Sequence, residues 1–204
     1  LGWGADTLLP HAEFITSLFD WLLPPTLYFV DKFCVKPVPV TFMELSMSCI
    51  RLLDCLLDTP DGVGSDQHKA IEGFFVMALV WSVGACVNPE GREKFDAFLR
   101  LVSRWEAEEL EASEEYLDFI KNSPQYAEST AKEEHALSCG MPQPAEGKGS
   151  SVYDFKWDGK KLQWNGWLEL APRFSIPKGA AFNSILVPTV DTERHNFLIA
   201  QLLE

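Results

Sequence analysis

The sequence contains 204 residues, of which 47% are hydrophobic, 12% are aromatic and 23% are charged, a composition that can bury the core of a folded domain. A formal net charge of −13 argues against a nucleic acid or an anionic membrane surface as the partner, because both need a basic surface. The five cysteines lack close-pair spacing, which predicts buried thiols in a reducing compartment. The chain begins with Leu1 instead of Met, and we interpret it as a fragment of a longer protein.

The first hundred residues show the periodicity of helices. Apolar residues between positions 14 and 23 recur at the three-and-four spacing of one helix face. Pro24 and Pro25 predict a break or a kink at this point, because each proline lacks an N–H donor and restricts the residue before it. Apolar residues resume from Leu27 to Phe33, so we expect a second run of helix there.

Two further helices are marked by their start signals. Thr41 followed by Glu44 is a capping box, in which side chain and backbone satisfy each other's free groups. Another helix starts near Asp66 and is apolar nearly all round between residues 74 and 83. This is typical of the central helix of a bundle, and we expect Trp81 to pack in its core.

The apolar run at 74–87 is the natural candidate for a membrane span. It is too short to cross a bilayer comfortably and contains Ser82 and Gly84, so we expect no membrane partner. Asn88 followed by Pro89 then supplies an N-cap and a proline for the first turn of the next helix. That helix is expected to bury Phe95, Phe98, Leu99 and Val102.

The character of the sequence changes after Trp105. Residues 106–134 are rich in acids and carry few apolar residues, so we expect an exposed helix. Residues 140–151 are rich in Gly, Pro and Ser, which is typical of a flexible linker.

The last fifty residues predict a small β unit and a terminal helix. Apolar residues alternate on both sides of Asp158-Gly159, which is the pattern of a β-hairpin. Residues 182–187 are typical of another strand, and a final amphipathic helix starts at Thr189 or Asp191.

None of the motifs that carry chemistry is complete. Gly147 and Lys148 lie in a segment similar to a phosphate-binding loop, but Pro142 occupies its glycine position and Gly149 stands where Ser or Thr should follow. The four histidines have no Cys or carboxylate at metal-ligand spacing, and no hydrolase nucleophile motif is present. We therefore expect no catalytic residue and no metal site in this sequence.

Several segments, taken together, resemble the dynein heavy chain family. Residues 18–25 (LFDWLLPP) and 51–57 (RLLDCLL) look like the helices that follow the second AAA+ module of that family. Residues 74–85, which include the run ALVWSVGA, and residues 91–96 (GREKFD) resemble the next pair of helices. The order and spacing of the segments agree over nearly the whole chain, and the pattern is closer to axonemal than to cytoplasmic dyneins.

The C-terminal part continues the resemblance. Residues 152–155 (VYDF) are similar to the extension before the third module, and residues 185–192 (ILVPTVDT) resemble the lead-in to that module, just before its P-loop. Arg194 is kept, whereas His195 stands where the family usually has an aromatic residue. Residues 105–150 match nothing firmly and are expected to be a variable insertion.

The resemblance implies a mainly α fold in three parts. Residues 1–104 would form the helical-bundle lid of the second AAA+ module, and residues 105–151 an acidic variable segment with a flexible linker. Residues 152–204 would form a small β extension and a terminal helix that leads into the third module. In this family the lid closes over nucleotide bound by its own module, and the lead-in packs beside the adenine pocket of the next.

The implied function is that of a non-catalytic segment that relays nucleotide state between adjacent modules of an ATP-driven, minus-end-directed microtubule motor. Val187, Pro188 and Thr189 are the expected adenine-side contacts. ATP or ADP with Mg would belong to the parent motor, whose Walker motifs lie outside this sequence, so hydrolysis by the segment alone is not expected. The implied partners are neighbouring AAA+ modules, microtubules and other dynein chains, and the implied location is the cytoskeleton of the cytoplasm and the axoneme of a cilium or flagellum.

Two other hypotheses stay open at this point. A free-standing acidic adaptor with a helical domain and a β appendage would be a stable monomer that binds a basic protein. A nucleotide-binding enzyme that uses the region of Gly147 and Lys148 would lose ATP affinity when Lys148 is replaced. A motor-ring segment would instead expose apolar surface where neighbouring modules dock.

Overall fold

The computed structural model describes residues 9–58, 66–104, 118, 136–143, 150–170 and 189–203. The helices in these residues are α1 (Ala12–Phe33), α2 (Phe42–Leu57), α3 (Gln67–Ser82), α4 (Pro89–Arg104), α5 (Trp167–Leu170) and α6 (Val190–Leu203). The strands are β1 (Phe155–Asp158) and β2 (Gln163–Gly166), which pair antiparallel as a two-stranded sheet. The predicted architecture, mainly helical with a small β unit and a terminal helix, is confirmed.

Helix α1 runs through both of its prolines, so of the two predicted outcomes, a break or a kink, the break is wrong. Pro24 and Pro25 lie inside α1, and Leu22 and Phe29 on either side of them are each 0% exposed. The Thr26 hydroxyl donates to the Leu22 carbonyl at 2.5 Å within this turn. Packing of this face against α3 and α4 offsets the cost of about 3 kcal/mol that a proline imposes on a helix interior.

The helices begin at the caps that the sequence predicts, because capping is an interaction between residues a few positions apart. The Thr41 hydroxyl accepts from the Glu44 amide at 3.2 Å, and the Glu44 carboxylate accepts from the Thr41 amide at 2.8 Å. The backbone hydrogen bond from Thr41 lowers the pKa of Glu44. Asp66 and Asn88 cap α3 and α4 through their side-chain oxygens in the same way.

The core forms around α3, in which every residue from 70 to 80 is buried. Helices α1 and α2 both pack on α3, and α1 also packs on α4. Phe29 of α1 stacks on Phe98 of α4 with ring centroids 4.0 Å apart, and both side chains are 0% exposed. The residues predicted to be buried in α4 are all in the core, namely Phe95, Phe98, Leu99 and Val102.

The α3 segment is longer than its apolar run. The helical segment Gln67–Cys86, which continues four residues past the end of α3, spans 20 residues and is long and apolar enough to cross a membrane by length and composition. It exceeds the short run at 74–87 because the helix starts in polar residues before Phe74. Because 78% of the apolar window is buried inside the protein, the segment has the surroundings of a bundle's central helix.

The expected linker has a packed first part. Met141 and Pro142 are buried, and the Pro142 carbonyl accepts from Arg100 at 2.6 Å. The exposed helix expected at 106–134, Asp118 aside, and the strand expected at 182–187 lie outside the described residues.

Candidate functional site

The hairpin packs on the central helix through the contact of one tryptophan with one glycine. Trp157 of β1 is 1% exposed, and its indole lies over Gly73 of α3. A Cβ placed on Gly73 would lie only 2.1 Å from Cε2 of that indole, so only glycine leaves room for the ring. In the sheet Trp157 pairs with Trp164, and their ring centroids are 5.1 Å apart. The hairpin is thereby fixed to the middle of the bundle.

Tyr153, just before β1, makes a second connection to the bundle. It is 3% exposed, and its hydroxyl donates to the Gly84 carbonyl at 2.7 Å. Its ring meets Trp81 edge-on at 5.8 Å, and the Arg92 guanidinium lies 5.2 Å from the centre of the ring. Burial raises the pKa of the Tyr153 hydroxyl far above its usual range, so this group stays protonated and serves as a hydrogen-bond donor.

Trp81 links the bundle to the C-terminal elements. It was expected in the core, but it is half-buried, with its ring against Tyr153, Trp167 and Arg194. The distances from its ring are 6.5 Å to the Trp167 centroid and 5.8 Å to the Arg194 guanidinium. Phe197 of α6 lies 5.6 Å from the Trp167 ring and continues this aromatic cluster. We call the contacts of Trp81, Tyr153, Trp167, Arg194 and Phe197 the joint.

A groove of about 450 Å³ opens beside the joint. The charged residues that line it are Arg92, Glu93, Asp96, Asp154 and Arg194. Two positive charges face three negative ones, so the groove offers no net positive field to a triphosphate. The Asp96 carboxylate makes structural contacts: it accepts a hydrogen bond from the Val152 amide at 2.7 Å and forms an ion pair with Arg100 at 3.0 Å. The charges hold elements together across the groove.

Glu72 ties a further segment to α3. Glu72 is 7% exposed, and its carboxylate accepts from the Ser138 hydroxyl at 2.6 Å and from the Cys139 amide at 2.9 Å. Two hydrogen bonds compensate the burial of this group. Glu72 and Gly73 are the two residues of the central helix that the periodicity does not explain, an acid and a glycine among apolar residues. Both mark positions where another segment packs on α3.

Catalytic and metal chemistry finds no support in the described residues. In the ranges that the structure describes, no group of three His, Cys, Asp or Glu side chains is arranged to hold a metal ion. All five cysteines are free, and the predicted burial holds for Cys34, Cys49 and Cys139, whereas Cys55 and Cys86 are only half-buried. Burial raises the pKa of the Cys49 thiol to about 11 and also raises that of Cys86. Thiols with raised pKa values are poor nucleophiles at neutral pH.

Of the residues predicted to contact adenine, only Thr189 is described. Val187 and Pro188 lie outside the described residues. Thr189 is exposed, and its hydroxyl accepts from the Thr192 amide at 3.2 Å, which caps α6. The predicted start of the terminal helix at Thr189 or Asp191 is confirmed, and the adenine contact stays a prediction.

Comparison with known proteins decides the family. The family described as the dynein heavy chain AAA lid domain matches residues 15–169, which include all of the bundle except the first three residues of α1, and the hairpin. The chain belongs to this family. The predicted resemblance to dynein heavy chains is therefore confirmed, whereas the assignment to the second AAA module stays a prediction.

Several axonemal dynein heavy chains are similar to this dynein lid. Mouse dynein axonemal heavy chain 3 is 27% identical over 211 residues, and the human protein of that name is 24% identical over 209 residues. Mouse dynein axonemal heavy chain 12 is 30% identical over 200 residues. These matches cover 94 to 95% of the lid sequence but only 4 to 6% of each relative.

Proposed function

We propose that this dynein lid belongs to the second AAA module and relays nucleotide state to the third. In this proposal the residues before 105 form the moving bundle, and those after 151 carry its motion to the next module. The joint is the observation that carries the proposal, because it connects α3, the residues on either side of the hairpin and α6 through one set of contacts. A packed core moves as a rigid body, so rotation of the bundle would displace α6.

The proposal places the chemistry outside this segment. The parent would be an ATP-driven, minus-end-directed microtubule motor, with ATP or ADP and Mg bound by its AAA modules. Val187, Pro188 and Thr189 would lie on the adenine side of the third module's site. The motor would work on microtubules, together with other dynein chains, in the axoneme of a cilium or flagellum.

An exposed apolar stripe on α2 supports docking of a neighbouring module. Met43, Met47 and Ile50 follow the spacing of one helix face and are 78%, 44% and 45% exposed. A free-standing adaptor would be expected to keep such a stripe polar. The adaptor hypothesis finds no support in the comparisons, since the relatives that match are long heavy chains.

Replacement of Trp81 in the parent heavy chain tests the relay. In Trp81→Ala we expect the stimulation of ATP turnover by microtubules to fall severalfold while basal turnover stays within about twofold, because the joint loosens but the catalytic modules are untouched. Trp81→Phe keeps an aromatic ring in the joint and should retain most of the stimulation. The measurement is steady-state ATP hydrolysis with and without microtubules.

Tyr28→Ala provides the matched control for that experiment. Tyr28 is 51% exposed on α1 and contacts Phe42, outside the joint, so its loss should leave both rates unchanged. Full stimulation in Trp81→Ala would contradict the relay through the joint.

A further inference from the structure

Helix α6 lies on the lid without burying any of its side chains. Val190, Phe197 and Leu198 are only partly covered by the core, and Leu203 at its end is 81% exposed. Apolar contacts are non-directional, so shallow ones hold a helix on a surface without fixing its direction. Some directional contact must therefore set the orientation of α6.

Arg194 supplies directional contacts to three elements. Its Nε donates to Asp191 at 2.8 Å within α6, and its Nη1 donates to the Tyr153 carbonyl at 3.1 Å ahead of the hairpin. Nη1 also lies 3.7 Å from the Asp154 carboxylate, and the guanidinium stands over the ring of Trp81 in α3. The Arg194 side chain is only 14% exposed, and its hydrogen bond lowers the pKa of Asp191. A planar guanidinium can make these contacts at once, whereas an ammonium group is a single point charge.

Phe197 is the other anchor of α6, and it reaches different neighbours. Lys156 of β1 lies 3.6 Å from the centre of the Phe197 ring, and Trp167 lies 5.6 Å from it. Lys156 lies in the hairpin, and Trp167 directly follows it. Without Arg194 the helix would keep this contact and its packing on α2, but it would lose the hydrogen bond to Tyr153 and the cation–π contact with Trp81 that hold its first turn.

We propose that Arg194 is the positioning residue that fixes the direction of α6 on the lid. Its guanidinium locks the first turn of α6 to the bundle and to the start of the hairpin. The consequence for the motor rests on the proposed function: the angle at which the chain enters the next module would be set by this one side chain. Arg194 takes no part in hydrolysis itself.

Hydrogen exchange on the 204-residue chain tests this assignment. In Arg194→Ala we expect the amides of residues 192–196 to exchange roughly tenfold faster, while the amides of α3 keep their protection. The α3 amides report in the same experiment that the bundle is folded. Arg194→Lys should behave like Arg194→Ala, because an ammonium group cannot replace the planar fork.

Two results would overturn the assignment. Unchanged exchange in Arg194→Ala would show that apolar contacts alone orient α6, and full protection in Arg194→Lys would show that charge alone is sufficient. His195→Ala is the matched control, since His195 is the exposed neighbour of Arg194 on the same turn and should leave exchange unchanged. The experiment needs neither ATP nor microtubules, so its failure would leave the relay through Trp81 standing, and failure of the relay would leave the role of Arg194 standing.

Discussion

Replacing Gly73 with alanine is expected to lower the free energy of unfolding by about 3 kcal/mol and to lift the hairpin off the bundle. The added Cβ would lie 2.1 Å from Trp157, and neither the α3 backbone nor a fully buried indole can move aside by that much. Overpacking alone costs about 1–3 kcal/mol, and loss of a buried large aromatic costs about 3–5 kcal/mol. Urea unfolding followed by circular dichroism measures the change.

Gly166→Ala is the control for the Gly73 experiment. A Cβ at Gly166 would meet only side-chain carbons of Glu169 at 3.7 Å, which is ordinary contact distance. We expect a change below about 1 kcal/mol there. Adding Trp157→Phe to Gly73→Ala should recover part of the loss, because a smaller ring leaves room for the methyl group. Equal free energies of unfolding for Gly73→Ala and Gly166→Ala would contradict the packing of Trp157 on Gly73.

Phe98→Ala is expected to destabilise the bundle by about 3–5 kcal/mol, because it leaves a cavity at the contact of α1 with α4. Phe98 is 0% exposed and stacks on Phe29 at 4.0 Å, so the surrounding rings cannot close the gap without leaving their positions. The thermal midpoint should fall by about 10 °C or more. Differential scanning calorimetry of the 204-residue chain measures this shift.

Phe42→Ala is the comparison for Phe98→Ala. Phe42 is half-buried and contacts the exposed Tyr28 at 5.3 Å, so its removal opens a surface notch that water fills. The expected loss is about 1 kcal/mol. If both variants melted at the same temperature, the core would not be organised around the Phe29–Phe98 stack.

Local features could be predicted from the sequence because their causes are local. The Thr41 capping box, the Asn88 cap and the alternation through the hairpin all depend on residues a few positions apart. The Asp158-Gly159 turn was predicted in the right place, and Asp158 accepts from the amides of Lys160 and Lys161 there. The break at Pro24-Pro25 failed for the opposite reason: packing from elsewhere in the chain outweighed a local preference.

The joint could not be predicted because periodicity shows that a face is buried and not what covers it. Trp81 has the spacing of a core residue, yet its ring is covered by residues far along the chain, Tyr153 and Arg194. Gly73 was visible as a glycine in a bulky helix, but its partner Trp157 lies across the linker in sequence. The family resemblance placed Gly73 and Trp81 in the lid and the residues after 151 in a separate extension, without indicating contacts between the two parts.

The proposed relay requires the bundle, the hairpin and α6 to respond to nucleotide as one unit. Hydrogen exchange in the parent heavy chain, compared between the states bound to an ATP analogue and to ADP, measures this coupling. We expect amides of 67–82 and 190–203 to change together in the native protein. In Trp81→Ala, which removes the centre of the joint, the change should persist in 67–82 and vanish in 190–203. A nucleotide-dependent change in 190–203 that survives Trp81→Ala would contradict the proposed relay.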